Sequence, residues 1–372
     1  MIPVTKPFLP PKEDFDELVA GVWRRNWLTN DGPLMNKLEL DLKNHLGLDH
    51  LLFVTNGTIA LQFAIRALEL TGEVITTPFS YVATTSSLVW ENCQPVFADI
   101  NPTTLNIDPA TIEALITPET SAILATHVFG NACEVEVIQE IADRHGLKVI
   151  YDGAHAFGVD YKGKSIFSYG DISTCSFHAT KLFHTVEGGA VITKDPGLLR
   201  KMSLFRSFGH TSATSFEGIG INGKNSEFHA AMGLANLSHV PQIIARRKKL
   251  SALYDKWLQG MACTVPEKTE GVKYNYAYYP ILLASEEELL RVVKILNRAE
   301  IYPRRYFYPS LSKLDYVQSQ PTPVADDVAL RVLCLPLYHE LSSEEVELVC
   351  RLILREKRYG EKEVRSRKIV TA

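Results

Sequence analysis

Between residues 50 and 195 the chain alternates short β-type runs with stretches of helical spacing. The runs are LLFV (51–54), EVITT (73–77), PVFADI (95–100), SAILATHV (121–128), KVIYD (148–152), ISTCSFH (172–178) and GAVIT (189–193). VFADI, AILATHV and VIYD are apolar on consecutive residues rather than alternate ones. Such a strand needs cover on both faces, which predicts a mostly parallel sheet with helices above and below it. In TNGTIALQFAIRALEL, Ala60, Leu61, Ala64, Ile65 and Leu68 recur at helical spacing behind a cap at Thr55 or Asn56. EVEVIQEIADRHG reads as a helix ended by its glycine.

After about residue 240 the texture changes. PQIIARRKKLSALYDKWLQGM reads as a long helix, YNYAYYPILLA as a strand and EEELLRVVKILNRAE as a helix. A strand-like VLCLPLY and a helical SSEEVELVCRLILREK follow. A chain of 372 residues is too long for one small core. The expected division is an N-terminal arm and large α/β domain over residues 1–240, with a smaller α+β domain over 241–372.

The 39 basic and 43 acidic residues leave a net charge of −4 without a basic block, so nothing points to nucleic acid. The opening MIPVTKPFLPPKEDF lacks the order of a signal peptide. No apolar run approaches the ~18 residues that span a bilayer. Six scattered cysteines with no CxxC read as reduced thiols rather than a disulfide frame or a metal site. The expected setting is the cytoplasm.

In open α/β sheets, ligands sit beyond the carboxyl ends of the strands. After LLFV comes Asn56-Gly57-Thr58, opening a helix whose free N–H groups suit a phosphate, although the same residues make an ordinary turn and cap. After EVITT comes Tyr81, able to stack on a flat ring or to join a core. Asp152 ends KVIYD, where a buried carboxylate is costly without a partner and structural capping is the competing account. Ser176 and Lys181 follow ISTC, the lysine being either a solvated turn residue or a covalent catalyst. Their joint order is more specific than any one of them. A phosphate-binding helix end, an aromatic ring, a carboxylate, a serine and a lysine are the parts that pyridoxal phosphate (PLP) requires.

The chain resembles the DegT/StrS family of PLP-dependent sugar aminotransferases over nearly its whole length. The resemblance is carried by NWLTNDGPLMNKLELDL, FVTNGTIALQFAIRAL, ITTPFSYVATTSSLVWENCQPVFADI, YDGAHAFG, SFHATKLFHTVEGGAVIT, GINGKNSEFHAAMGLANL and VLCLPLYHELSSEEV. It implies an aspartate-aminotransferase-like α/β large domain (PLP fold type I) followed by a small α+β domain. It makes Lys181 the Schiff-base lysine and Asp152 the partner of the pyridine nitrogen. Tyr81 becomes the stacking aromatic, and Gly57, Thr58 and Ser176 fall on the phosphate. His155 stands where relatives often carry glutamine, near the ring hydroxyl of the cofactor. Asn222 would reach the phosphate from a neighbouring subunit, which implies a homodimer with shared active sites.

The sequence departs from the family pattern at Asn222-Gly223-Lys224, where an arginine contact becomes a lysine. Lys224 is therefore a substrate-binding candidate of altered geometry. His184, in Leu182-Phe183-His184-Thr185, is expected to shape the sugar pocket or to pack its loop. Arg305 and Tyr308, in RRYFYPSL, are candidates for the diphosphate, against a buried aromatic cluster with a surface arginine. The implied chemistry is ping-pong, with L-glutamate as donor, pyridoxamine phosphate as intermediate and a keto-sugar as acceptor. The segments PVTKPFLPP, NWLTNDGP, TTPFSYVATTSSLVWE, SFHATKLFHT and PRRYFYPSL look closest to members that aminate C4 of dTDP-4-keto-6-deoxy-D-glucose for surface sugars such as O-antigen. Amination at C3 of a 3-keto isomer is the rival expectation. A sugar dehydratase, in which histidine replaces the lysine, and a non-catalytic regulatory role are the others.

Overall fold

The computed structural model describes residues 1–261 and 263–370. An N-terminal arm carries β1 (Ile2–Pro3), α1 (Lys12–Arg25) and α2 (Pro33–Leu46). The central sheet takes β2 (His50–Val54), β3 (Glu73–Thr76), β4 (Gln94–Phe97), β5 (Thr120–Thr126) and β6 (Lys148–Asp152). After a small hairpin, β7 (Asp160–Tyr161) and β8 (Lys164–Ser165), it is completed by β9 (Ile172–Ser176) and β10 (Gly189–Thr193). The seven strands lie in the order β2-β10-β9-β6-β5-β3-β4. Only β10 runs antiparallel to its neighbours, β2 and β9.

The consecutive apolar runs behave as their pattern demands. In β5 and β6, Ala122, Ile123, Leu124, Ala125, Val149, Ile150 and Tyr151 are all buried. Ile123, Ala125, Val149 and Tyr151 face one core while Ala122, Leu124 and Ile150 face the other. The sheet is covered by helices that include α3 (Gly57–Ala67), α4 (Val82–Trp90), α5 (Val135–His145), α6 (Pro196–Arg206) and α7 (Glu227–Leu237). The Asn56 side chain caps α3 by accepting from Ile59 N–H at 2.9 Å. Asp195 does the same for α6, where Pro196 takes the first position.

Helix α8 (Val240–Leu258) leads into the C-terminal part of the chain. There β11 (Val272–Lys273) joins β7, and β12 (Tyr279–Leu282) pairs antiparallel with β14 (Val332–Leu335). Helices α9 (Glu286–Arg298), α10 (Pro323–Arg331) and α11 (Ser343–Val370) complete it, with the short β13 (Ile301–Tyr302) after α9. A separate apolar core forms from Leu250, Tyr254, Ile281, Leu289, Leu333 and Val346, and it also takes in Ile2 from the arm.

The strand expected over YNYAYYPILLA is shorter than its pattern. Asn275 Nδ2 donates to the carbonyls of His155 and Phe157 at 2.8 and 2.9 Å, which pins residues 274–278 to the large sheet's loops instead of a ladder.

Gly189 marks where β10 passes closest to the start of α3. A Cβ there would lie 2.5 Å from the Asn56 backbone carbon. Gly189→Ala is expected to cost ~1–3 kcal/mol by overpacking, read as an earlier urea unfolding midpoint.

Candidate active site

Five segments converge at the carboxyl end of the sheet around a cavity of about 440 Å³. Its lining includes Asn56, Gly57 and Thr58 from the β2–α3 turn, Tyr81 at the start of α4, and Asp152 and His155 after β6. Ser176, His178, Thr180 and Lys181 come from the loop after β9, and Tyr278, Tyr306 and Phe307 from the C-terminal part.

Asp152 is buried at the end of β6. Its Oδ2 accepts from Thr84 Oγ1 at 2.8 Å and its Oδ1 from Ala154 N–H at 3.0 Å. Thr84 is itself in contact with Ser80 Oγ at 2.7 Å, and Ser80 with Thr126 Oγ1 at 3.0 Å. This hydroxyl chain orients Thr84 toward the carboxylate. Neutral donors hold the charge in place without cancelling it, so the carboxylate remains available to a cation in the cavity.

Lys181 is half-buried and lines the cavity. Burial lowers its ammonium pKa, while the Asp152 charge works in the opposite direction. A larger neutral fraction makes it a better nucleophile and base. The turn that carries it is closed by Lys181 N–H donating to His178 O at 2.9 Å and Ala179 N–H to Val186 O at 2.8 Å.

His155 accepts at Nδ1 from Phe129 N–H at 3.2 Å, which leaves Nε2 as its donor. Burial, and secondarily the Lys181 charge, hold its pKa well below the ordinary histidine value, so the ring is neutral. It lies nearly parallel to Phe307, with centroids 5.6 Å apart.

At the opposite end of the cavity, Gly57 faces Ser176. A Cβ on Gly57 would come within 2.9 Å of Ser176 Cβ, so the concavity exists because the side chain is absent. Among the described residues, the N–H groups of Gly57 and Thr58 meet no acceptor of the chain itself. A helix start with free N–H groups and an adjacent hydroxyl fits a phosphate. With a buried carboxylate, an aromatic ring and a primary amine around the same cavity, the residues present fit PLP.

The family model for DegT/DnrJ/EryC1/StrS aminotransferases matches residues 11–354. The chain belongs to that family. It is an aminotransferase, an enzyme of a PLP-dependent family. A Shigella dysenteriae protein named dTDP-4-amino-4,6-dideoxy-D-glucose transaminase is 42% identical over 356 residues, covering 93% of this chain and 96% of its own. An Escherichia coli protein of the same name is 40% identical over 365 residues, covering 95% and 98%. The crystal structure of DesI in the presence of its TDP-sugar product superposes with a TM-score of 0.91 at 32% identity, covering 98% of this chain and 95% of that one.

Gly57, Thr58, Tyr81, Asp152, His155, Ser176 and Lys181, singled out from sequence, all line the one cavity. The other candidates do not. His184 packs the loop instead: it is 2% exposed, and its ring nitrogens meet the Phe8 carbonyl and the Val186 N–H. Arg305 pairs with Glu286 at 2.7 Å and lies 3.6 Å over the Tyr308 ring, and neither residue is among those that line the cavity. Asn222 and Lys224 also lie outside this chain's own cavity, where Lys224 Nζ donates to Asn222 Oδ1 at 2.8 Å.

Sequence reasoning missed Thr84 and the aromatic wall of Tyr278, Tyr306 and Phe307. The signal for Thr84 was present in TTSSL, four consecutive hydroxyls near the start of a helix that follows a strand end. Among the described residues no cluster of three metal-ligating side chains occurs.

The lowered pKa of Lys181 carries a sign. The folded state binds its proton less tightly than the unfolded state, so the ammonium destabilises the cofactor-free protein at neutral pH. Lys181→Met is expected to raise the melting temperature of the cofactor-free protein at pH 7. That gain should fade as pH rises through the folded pKa toward the ordinary value of 10.5. Thermal scans across that range check it.

Proposed function

We propose that the enzyme transfers the amino group of L-glutamate to C4 of dTDP-4-keto-6-deoxy-D-glucose. The products are dTDP-4-amino-4,6-dideoxy-D-glucose and 2-oxoglutarate. The observation that carries the reading is Lys181 and Asp152 on the walls of one cavity whose far end offers the free N–H groups of Gly57 and Thr58 beside the Ser176 hydroxyl. The names of the Shigella and Escherichia relatives support the choice of sugar and position.

When bound, PLP supplies a ring that absorbs the electron pair left by a breaking C–H bond. Gly57 and Thr58 N–H groups and the Ser176 hydroxyl would hold its phosphate. Tyr81 would pack against the ring, and His155 Nε2–H would be a neutral donor to it. Asp152, fixed by Thr84 and Ala154, would be the counter-charge for a protonated ring nitrogen. Lys181 Nζ takes the proton from the donor's α-carbon as a neutral amine and, as ammonium, returns one in the opposite half-reaction. The C-terminal wall of Tyr278, Tyr306 and Phe307 excludes water while this happens.

The reading places two copies around each site, with the division between large and small domains near residue 240. Phe208, Phe216, Ile219 and Ile221 are exposed in the segment that leads to Asn222, and Trp27 and Leu28 are exposed near the arm. Apolar side chains of that size grouped on a surface suit a second copy, which would bring Asn222 and Lys224 to its neighbour's phosphate and sugar. No helix among the described residues is long and apolar enough to cross a membrane. A cytoplasmic enzyme supplying amino-sugars for O-antigen or lipopolysaccharide completes the proposal.

Loaded with PLP, the protein is expected to be yellow and to bleach on addition of L-glutamate. Lys181→Ala should lose both the band and ~10²–10⁴-fold in kcat. NMR of the product should place nitrogen at C4. A 3-amino product would overturn the choice of position, and a spectrum indifferent to glutamate would overturn the aminotransferase chemistry.

A further inference from the structure

The N-terminal arm starts on the C-terminal core and ends on the lysine loop. Ile2 and Pro3 pair in parallel with Ile301 and Tyr302, and Ile2 N–H donates to Glu300 O at 2.8 Å. Val4 O accepts from Leu337 N–H at 2.9 Å. Its side chain packs in the cluster that holds Phe129 and Phe307. Lys6 pairs with Glu340. The backbone and ion-pair partners all belong to the C-terminal part of the chain, whereas the Val4 cluster also draws Phe79, Ile100, Leu105 and Val128 from the large domain.

The next contacts belong to the large domain. Thr5 Oγ1 donates to Thr180 O at 3.4 Å, one residue before Lys181. His184 Nε2 donates to Phe8 O at 2.6 Å. The direction of that bond follows from the other ring nitrogen: Nδ1 accepts from Val186 N–H at 3.2 Å, so the proton is on Nε2. His184 is held in turn by Asn236 Nδ2, which donates to its backbone carbonyl at 3.0 Å. The Phe8 ring sits 5.2 Å from both His239, at the start of α8, and His339, in the C-terminal part.

The Lys181 turn is therefore gripped at two points by one short segment, and that segment is fastened to the other half of the molecule. Within the turn, Phe183 is stacked on Phe157 at 4.4 Å and cannot move freely. The flanking residues Thr180 and His184 are where the arm attaches.

We propose that residues Ile2–Phe8 are a strap that conveys the placement of the C-terminal domain to the Lys181 turn, with His184 as the positioning residue that fastens it. His184 acts through the turn and does not touch substrate. The inference rests on Lys181 being the catalytic amine. Its first readout is independent of that chemistry.

The test compares His184→Phe, which keeps ring volume but removes the donor, with a chain lacking residues 2–8. Hydrogen exchange is followed on the cofactor-free proteins. The segment 177–188 should exchange about tenfold faster in His184→Phe, which loses one tethering hydrogen bond, and at least as fast in the truncated chain, which loses both. In the PLP-loaded enzymes, kcat should fall about tenfold from a misplaced amine, with KM for both substrates within about twofold. Combining the two changes should add nothing, because both release the same strap. His184→Gln, which restores a side-chain N–H, should recover most of kcat. Wild-type exchange in 177–188 for both variants would overturn the proposal. So would a lowered melting temperature with kcat unchanged. If His184→Phe does not fold, the truncated chain decides the question alone. Failure of the aminotransferase reading would appear instead as a cofactor spectrum insensitive to Lys181→Ala.

Discussion

A carboxylate buried at the end of an apolar strand governs the arrangement around it. Asp152 follows Val149, Ile150 and Tyr151, all fully buried, and ionised groups are costly in such surroundings unless bonded. The protein meets that cost with short, neutral donors from Thr84 and Ala154 rather than with an arginine. The choice has a chemical consequence. A bidentate guanidinium would stabilise the anion but neutralise it, whereas hydroxyl and amide donors leave its field pointing into the cavity. That field opposes the effect of burial on Lys181, so the two functional groups are electrostatically linked across the site.

The sheet makes this linkage possible by register. Asp152 pairs with Thr126 on one side and Thr174 on the other. Thr126 begins the hydroxyl chain that ends on Asp152, and β9 continues from Thr174 to Ser176 and the Lys181 loop. The antiparallel β10 then returns that loop into the sheet between β9 and β2. The Gly57–Ser176 end of the cavity and the Lys181 end are consequently fixed by β2 and β9, the two strands that flank β10. A shift of one residue in either ladder would move the reactive groups to the opposite face of the sheet.

What could be read from the sequence was set by distance along the chain and by chemistry. Consecutive apolar runs, Asp152 at a strand end and Gly57 at a helix start are local signals with a physical cause, and they located one side of the cavity. Tyr278, Tyr306 and Phe307 arrive from more than a hundred residues away, and an aromatic in a strand-like run reads equally well as core. All but Tyr308 of the candidates that fell outside this chain's own cavity share a feature: each is a polar side chain with a nearby competitor for its hydrogen bonds. Arg305 meets Glu286, and His184 meets a backbone carbonyl 176 residues earlier. No periodicity encodes those partners. The N-terminal arm was equally hard to place, because IPV carries no pattern of its own until Ile301 and Leu337 supply the hydrogen-bonding edge.

His155 brings into the site a group that titrates near neutrality in water, which would make the site sensitive to pH. The structure removes that sensitivity. Burial among Phe129, Tyr278 and Phe307 disfavours the imidazolium, and the neighbouring Lys181 charge adds to the effect. The Phe129 N–H then occupies Nδ1 and assigns the remaining proton to Nε2. Phe129 holds this position from the left-handed region, with φ of 55°, a conformation that a bulky residue adopts at a cost of order 1–3 kcal/mol when its surroundings require it. The result is a neutral, single-proton donor of fixed direction, equivalent in hydrogen bonding to one N–H of a carboxamide. A histidine so restrained acts as an amide would, and the strain needed to restrain it is stored one loop away from the group it serves.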